Sequence, residues 1–352
     1  MYIPAIDGLR ALAIIAVLCV HAGVPGFSLG WLGVDLFFVL SGFLITTLLL
    51  TEKIKKGKVN LLKFMGRRIL RLFPAYYLYI LFITIAIYLG AGTLTSIGQW
   101  NPTVIIASLW GYFNNFIPRG GFWEYSKLLI HLWSLAVEEQ YYLIWPLVLV
   151  CIFKFKNIIF IPTLILLILF IVRFSVDGLD YDAKLHTRGI ALVIGSYMAL
   201  LCSEFSGVVE CIKKYRHLIL VMLVCLLLAV FSAKLLGIAS DYDLRKTPII
   251  FLDIIFAFMI ARIWYGSDCF YSRFLSMPVL VYIGRISYGI YLYHMFCHFV
   301  VWDVWYLNFS ILPNYANYFI RLSIYFLMSI GLATLSYRYL EMPFLRLKGS
   351  LR

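Results

Sequence analysis

Charge is scarce in this chain. Only 13% of its 352 residues are Asp, Glu, Lys or Arg, about half the ~25% typical of a soluble domain, and no polar stretch is long enough to fold as one. Cysteine offers no framework. The seven residues Cys19, Cys151, Cys202, Cys211, Cys225, Cys269 and Cys297 are odd in number, scattered and mostly set in apolar runs, so they read as small buried hydrophobes, with no CxxC pair, disulfide scaffold or Cys/His metal cluster. There is no GxGxxG after a strand, no P-loop, no HExxH and no GxSxG, which removes the basis for Rossmann, ATP-driven and zinc-hydrolase chemistry. Internal repeats of fixed period and inverted duplications are also missing, which counts against a secondary transporter. The N-terminus has neither a basic n-region nor a clean small-residue cleavage pattern, so residues 1–24 are read as the first span rather than a signal peptide.

What is abundant is hydrocarbon: 63% of the residues are hydrophobic. Spans of ~20 apolar residues fall near 6–24, 31–50, 74–91, 141–153 (short, extended by the preceding segment), 157–173, 189–203, 217–236, 248–264, 284–306 and 319–340, with 103–117 as a further short or re-entrant helix. The expected fold is all-α: one polytopic domain over 1–352, with about ten transmembrane helices around a central polar cavity. An even count puts both termini on one side. If that side is the cytoplasm, the inner loops carry the basic runs 53–71, 154–156, 213–216 and 346–352 and Arg273, against only Arg119, Lys127, Lys184, Arg188, Arg245 and Lys246 outside. The positive-inside bias therefore predicts an N-in, C-in orientation. The net charge of +13 then reflects orientation, anionic lipid or a phosphorylated ligand rather than nucleic acid.

Ionisable groups at membrane depth are costly, and they usually face an interior cavity. Arg10 and His21 lie on one face of the first helix, three turns or ~16 Å apart, with Arg10 toward the cytoplasm. The plainer readings are a local Arg10–Asp7 pair and a structural histidine hydrogen bond. In "RRILR" (67–71), Arg68 and Arg71 are i, i+3 neighbours, and Arg67 is beside them. Two guanidinium forks on one face suit a phosphate, although orientation charges look the same. "HLWSLAVEEQYYLIWP" (131–146) puts His131, Ser134 and Glu138 on one face and Glu139 about 100° away. Glu138 could orient His21; the plain alternative is an interfacial anchor rich in Trp133 and its aromatic neighbours. Asp35 starts the second span, where Gly33 and Gly42 permit close packing. In "GRISYGIYLYH" (284–294), Ser287, Tyr291 and His294 form a polar stripe, as cavity wall or as packing. "HTRG" (186–189) and "YRYLEMPF" (337–344) read as interfacial anchors.

As an ordered set these segments resemble the acyltransferase-3 family of bacterial membrane O-acyltransferases. The set comprises Arg10 and His21 with ten residues between them, "FFVLSGFLI", Arg68-x-x-Arg71 before the third span, "HLWSLAVEEQYYLIWP" and "SYGIYLYH". The resemblance implies a multi-pass protein of the bacterial cytoplasmic (inner) membrane. It implies transfer of an acyl group, by default acetyl, from cytoplasmic acetyl-CoA or another acyl-CoA to a hydroxyl of a glycan or glycolipid. Lipopolysaccharide O-antigen, exopolysaccharide, peptidoglycan or a small antibiotic-like molecule would all serve as acceptor. Because the chain ends at Arg352 soon after its last span, it is expected to be a stand-alone form without the SGNH domain of some members. On this reading His21 is the general base, with Glu138, Arg10 and Asp35 as catalytic partners; an acyl-histidine is the competing mechanism. Arg67, Arg68, Arg71 and Arg10 would hold the coenzyme A phosphates. Trp133, Ser134, Glu139, Ser287, Tyr291 and His294 would contact substrate. No metal is required. The rival readings are a transporter or channel using the same buried charges, and a structural scaffold.

Overall fold

A computed structural model describes residues 2–89, 101–117, 128–175, 183–238, 240–246, 248–266, 270–304 and 314–347. Arg119, Lys127, Cys269, Lys348, Arg352 and the ends of the spans expected at 74–91 and 284–306 lie outside the described residues. The described residues form helices and no strand. The longer ones are α1 (Pro4–His21), α2 (Leu32–Lys56), α3 (Leu61–Tyr88), α4 (Leu132–Ile152), α5 (Phe160–Ser175), α6 (Leu185–Glu204), α7 (Arg216–Leu235), α8 (Pro248–Tyr265), α9 (Ser287–Phe299) and α10 (Asn314–Ser336).

Eight helices among the described residues are long and apolar enough to cross a bilayer. Two of the ten expected spans fall short of that length. α5 has 16 residues, and the stretch around 284–306 is broken: Pro278–Arg285 is a helix of 8 residues, Ile286 interrupts it, and α9 then runs 13 residues into a π-helical turn, Val300–Val304. The span expected at 141–153 begins instead at Leu132 and reaches 21 residues. Its polar stretch stays helical because neighbours meet the polar groups. Ser41 and Tyr142 donate to Glu138, and Gln140 donates to the Tyr112 carbonyl at 2.8 Å and the Asn115 side chain at 2.9 Å. The segment 103–117 contains a nine-residue helix, Pro102–Trp110, and a 3₁₀ turn at Asn114–Phe116.

Without a hydrophobic effect between helices in lipid, close backbone approach and interhelical hydrogen bonds must hold the bundle. The α2–α6 contact uses both. A Cβ on Gly42 would collide with the Leu192 carbonyl, and one on Gly195 with the Val39 carbonyl, so each helix presses into the gap the other glycine leaves. Ser196 donates to the Gly42 carbonyl at 2.9 Å and pairs with the Tyr141 hydroxyl at 2.6 Å, tying α4 to the same contact. Gly33 likewise lies against the Ala13 carbonyl of α1. The rims of α5 and α7 expose Leu167, Ile168, Ile171, Leu218 and Val221, the composition of a lipid-facing surface.

Two buried apolar clusters result. One is centred on α2, α4, α6 and α8; the other is built from the end of α1 with α3, α9 and α10. A polar cavity lies on the seam between them, since its wall takes Phe38, Leu72 and Tyr142 from the first and Leu135 and Tyr291 from the second.

Candidate functional site

The cavity holds about 650 Å³ of open space. Three guanidinium groups reach it: Arg10 from α1 and Arg68 and Arg71 from α3, joined by Ser41, Ser134, Glu138, Tyr142, Ser287, Tyr288 and Tyr291. Arg68 and Arg71 also form the wall of a second, wider space of about 1100 Å³ that carries Lys55, Lys56 and Arg67 with Glu52. The two spaces therefore share the arginine pair as a common wall, with a basic vestibule on one side and a smaller chamber on the other.

Each arginine is held differently. Arg10 pairs with Asp7 at 2.7 Å, and Asp7 also accepts from the Tyr2 hydroxyl at 2.9 Å. The local pair and the cavity-facing position, two readings left open by the sequence, are both present. Arg68 lies over the Tyr142 ring, 5.1 Å from its centroid, and over Phe64 at 5.6 Å, so its planar face is stacked and its N–H edge is left for a ligand. Arg71 makes no hydrogen bond or ion pair with a described residue. Arg67 pairs with Glu52 at 3.4 Å in the vestibule. Arg68 and Arg71, which form no ion pair among the described residues, have the chemistry that suits an anion such as a phosphate in a concave site.

Glu138 lines the chamber, but its partners are Ser41 and Tyr142, not His21. The expectation that it orients His21 is corrected by the geometry. α4 turns Glu138 toward the arginine side, while His21 ends α1 on the far side and is exposed. The neighbour of His21 is another imidazole. His21 and His294 have ring centroids 5.1 Å apart, and His294 and His131 are 5.0 Å apart. The Tyr291 ring packs against both inner histidines, at 5.5 and 5.3 Å. Its hydroxyl pairs with Ser134 at 2.5 Å and donates to the His131 carbonyl at 3.0 Å. Ser134 and Tyr291 belong to the chamber wall, so this layer separates the arginines from His21. Among the described residues no His, Cys, Asp or Glu group has the arrangement of a metal site.

The sequence profile of the family described as "Acyltransferase domain", acyltransferase-3, matches residues 3–338. The chain belongs to the acyltransferase-3 family. It is 35% identical to O-acetyltransferase OatA of Staphylococcus aureus over 99% of its own length and 58% of the relative's. It is 33% identical to peptidoglycan O-acetyltransferase OatA of Listeria monocytogenes over 83% of its own length and 49% of the relative's. The chain thus spans between about half and three-fifths of these curated relatives. No solved structure matches it.

On this acyltransferase scaffold the remaining expected site residues divide. Ser287 and Tyr291 line the chamber, while the third member of their stripe, His294, is turned toward His21. Trp133 stands behind the wall, edge-on to Phe38 at 6.1 Å and beneath the Arg188 guanidinium at 5.7 Å. Glu139 is not among the residues lining the chamber, although it lies within electrostatic reach of the lining residues Arg68 and Tyr288 and of Tyr76, Tyr77 and Tyr112. Asp35 does not reach the chamber. It is buried against Arg188 at 2.6 Å, and Asp253, Arg173 and Arg245 lie close by. Arg188, expected in an outer loop, is therefore inside α6. Sequence reasoning gave no role to Ser41, Tyr142, Tyr288 or His131. His131 and Tyr142 had a legible signal, their places on the face of Ser134 and Glu138 in a quoted motif.

Proposed function

We propose that this protein is an integral-membrane O-acyltransferase that moves an acetyl group from cytoplasmic acyl-CoA to a hydroxyl of an extracytoplasmic glycan. A single feature carries the reading: a chamber lined by Arg10, Arg68 and Arg71 that shares its arginine wall with a basic vestibule, and whose Tyr291 wall residue packs against the histidines His131 and His294. The vestibule takes the phosphates of coenzyme A, and the basic runs of the sequence put that side in the cytoplasm, with both termini inside. The flexible arm of the donor then extends through the chamber and past the Tyr291–Ser134 layer, bringing its thioester to His21. The peptidoglycan named for the Listeria relative makes a peptidoglycan-like glycan the first acceptor to try.

His21 is the general base. It removes the proton of the acceptor hydroxyl as the oxygen bonds to the acyl carbon and the carbon–sulfur bond breaks. Glu138, fixed by Ser41 and Tyr142, balances the arginines and keeps the chamber from holding the product thiolate too tightly. Purified protein given acetyl-CoA and a glycan acceptor should release free thiol in step with acetylated glycan. His21→Ala should lower that rate by about 10²–10⁴-fold at unchanged membrane abundance. Near-wild-type transfer by the variant removes His21 from the chemistry, and absence of thiol release by the unaltered protein is the outcome a transporter would give.

A further inference from the structure

On the function proposed above, donor and acceptor meet at His21, where the acyl carbon carries the arriving oxygen and the departing sulfur together. The donor comes from the chamber, so the acceptor needs a seat on the other side of His21. The polar face of α9 continues to that side. Through α9 and the π-helical turn that ends it, Ser287, Tyr291, His294, His298 and Trp302 follow one another at spacings of three or four residues, which keeps them on one face. Ser287 and Tyr291 line the chamber, His294 packs on His21, and His298 and Trp302 lie about one and two turns farther along.

Polar and aromatic groups gather at that end of the bundle. His298 lies within electrostatic reach of His21, and the Trp302 ring stacks on the His298 imidazole, 4.7 Å away and inclined by 9°. From α10, the Tyr318 hydroxyl donates at 3.5 Å to the carbonyl of Ala22, the residue after His21, so the start of α10 closes on the end of α1. Asn317, Arg321 and Tyr325 recur every four residues on α10 and are buried, whereas Tyr315, Phe319 and Leu327 are exposed. α10 therefore turns a polar stripe inward, beside His298 and Trp302. The Arg321 Nε donates to Asn317 at 2.8 Å, which fixes the plane of the guanidinium group. Tyr325 stands edge-on to His298 at 6.0 Å and to Trp302 at 5.4 Å. Its hydroxyl is buried with no hydrogen-bond partner among the described residues, a state that calls for a reason; a hydroxyl of a bound ligand supplies one.

The turn Val300–Val304 departs from regular helix geometry, as helices frequently do at functional sites, and it leaves Trp302 and Asp303 half-buried beside the exposed His21. An indole with a carboxylate at its side suits a sugar. The C–H face of a pyranose packs on the aromatic surface, and its hydroxyls donate to the carboxylate oxygens. We infer that Trp302 and Asp303 seat one pyranose ring of the acceptor glycan, with Arg321 and Tyr325 as the polar floor beneath it, and so decide which hydroxyl faces His21. The inference rests on the function proposed above.

Two measurements test it, with acetyl-CoA as donor and a soluble peptidoglycan fragment as acceptor. Trp302→Ala and Asp303→Asn should each raise KM for the fragment about tenfold while KM for acetyl-CoA stays within about twofold. Trp302→Phe keeps an aromatic face and should recover much of that loss. Mapping the acetylated hydroxyl by NMR should give one position for the unaltered protein and a mixture for Asp303→Asn, a change that a merely structural role would not produce. Variants that keep both the acceptor KM and the single product position overturn the inference. So does an equal rise in both KM values with a lowered unfolding temperature, which would make the turn part of the scaffold. If the unaltered protein acetylates the fragment and the variants match it, only the sugar seat falls; if the unaltered protein releases no thiol, the proposed function falls and the seat with it.

Discussion

Two clusters of charge are sunk into this helix bundle, and they are built on opposite plans. Around Asp35, the carboxylates of Asp35 and Asp253 face Arg188, Arg173 and Arg245, and Arg173 spends its remaining N–H groups on the Lys246, Thr187 and Arg245 carbonyls. Around the chamber, three arginines face a common space, where the one lining carboxylate, Glu138, is already held by two hydroxyls. The first cluster sets carboxylates against guanidinium groups within the protein and brings α2, α5, α6 and α8 together. The second leaves cationic hydrogen-bond donors aimed into open space. Arg68 and Arg71 differ from the first cluster in having no ion-pair partner among the described residues.

The comparison can be broken by exchanging the fates of the two clusters. The largest effect is expected at Arg188→Ala. Removing one partner of a buried ion pair strands the other, at a cost of about 3–5 kcal/mol, so the thermal unfolding transition in detergent should fall sharply. Asp35→Asn combined with Arg188→Gln should recover part of the loss, and a stable, active Arg188→Ala protein would move this cluster out of the scaffold. Arg71→Ala comes next and should do the reverse. Losing charge-assisted hydrogen bonds worth about 1.5–3 kcal/mol predicts coenzyme A binding weaker by roughly 10–150-fold at an unchanged unfolding temperature. Equal losses in donor binding, acceptor binding and stability would instead place Arg71 with Arg188. The smallest effect belongs to the rim, where Arg67 is shared with Glu52. Glu52→Gln should tighten coenzyme A binding by less than about 1 kcal/mol, and the gain should shrink as salt is raised. A loss of binding there would mean that Glu52 positions Arg67 rather than competing for it.

Much of the architecture was legible in the chain, and the places where it was not share a cause. Long apolar runs located the helices, and the i, i+3 spacing of Arg68 and Arg71 put both on one face, as found. The start of α4 was missed because Glu138, Glu139 and Gln140 look too polar for a span; their partners come from α2 and from Tyr112 and Asn115, far away in the chain. The break at Ile286 was missed because no proline marks it within 284–306. The Arg10–Asp7 pair was visible because it is local. The partners of Asp35 and His21 are not local, which is why Asp35 was expected in the site and His294 was given to the chamber wall.

The amino-acid order by itself determined that this chain forms apolar helices long enough for a bilayer and which residues share a face of each helix, because backbone hydrogen bonding in lipid leaves little choice and the helical period is constant. Only the tertiary structure decided which way each face is turned. The rotation of one helix against the next depends on contacts such as Gly42 against Gly195, made by residues far apart in the chain, and that rotation separates the arginines that await a ligand from those that already have a partner.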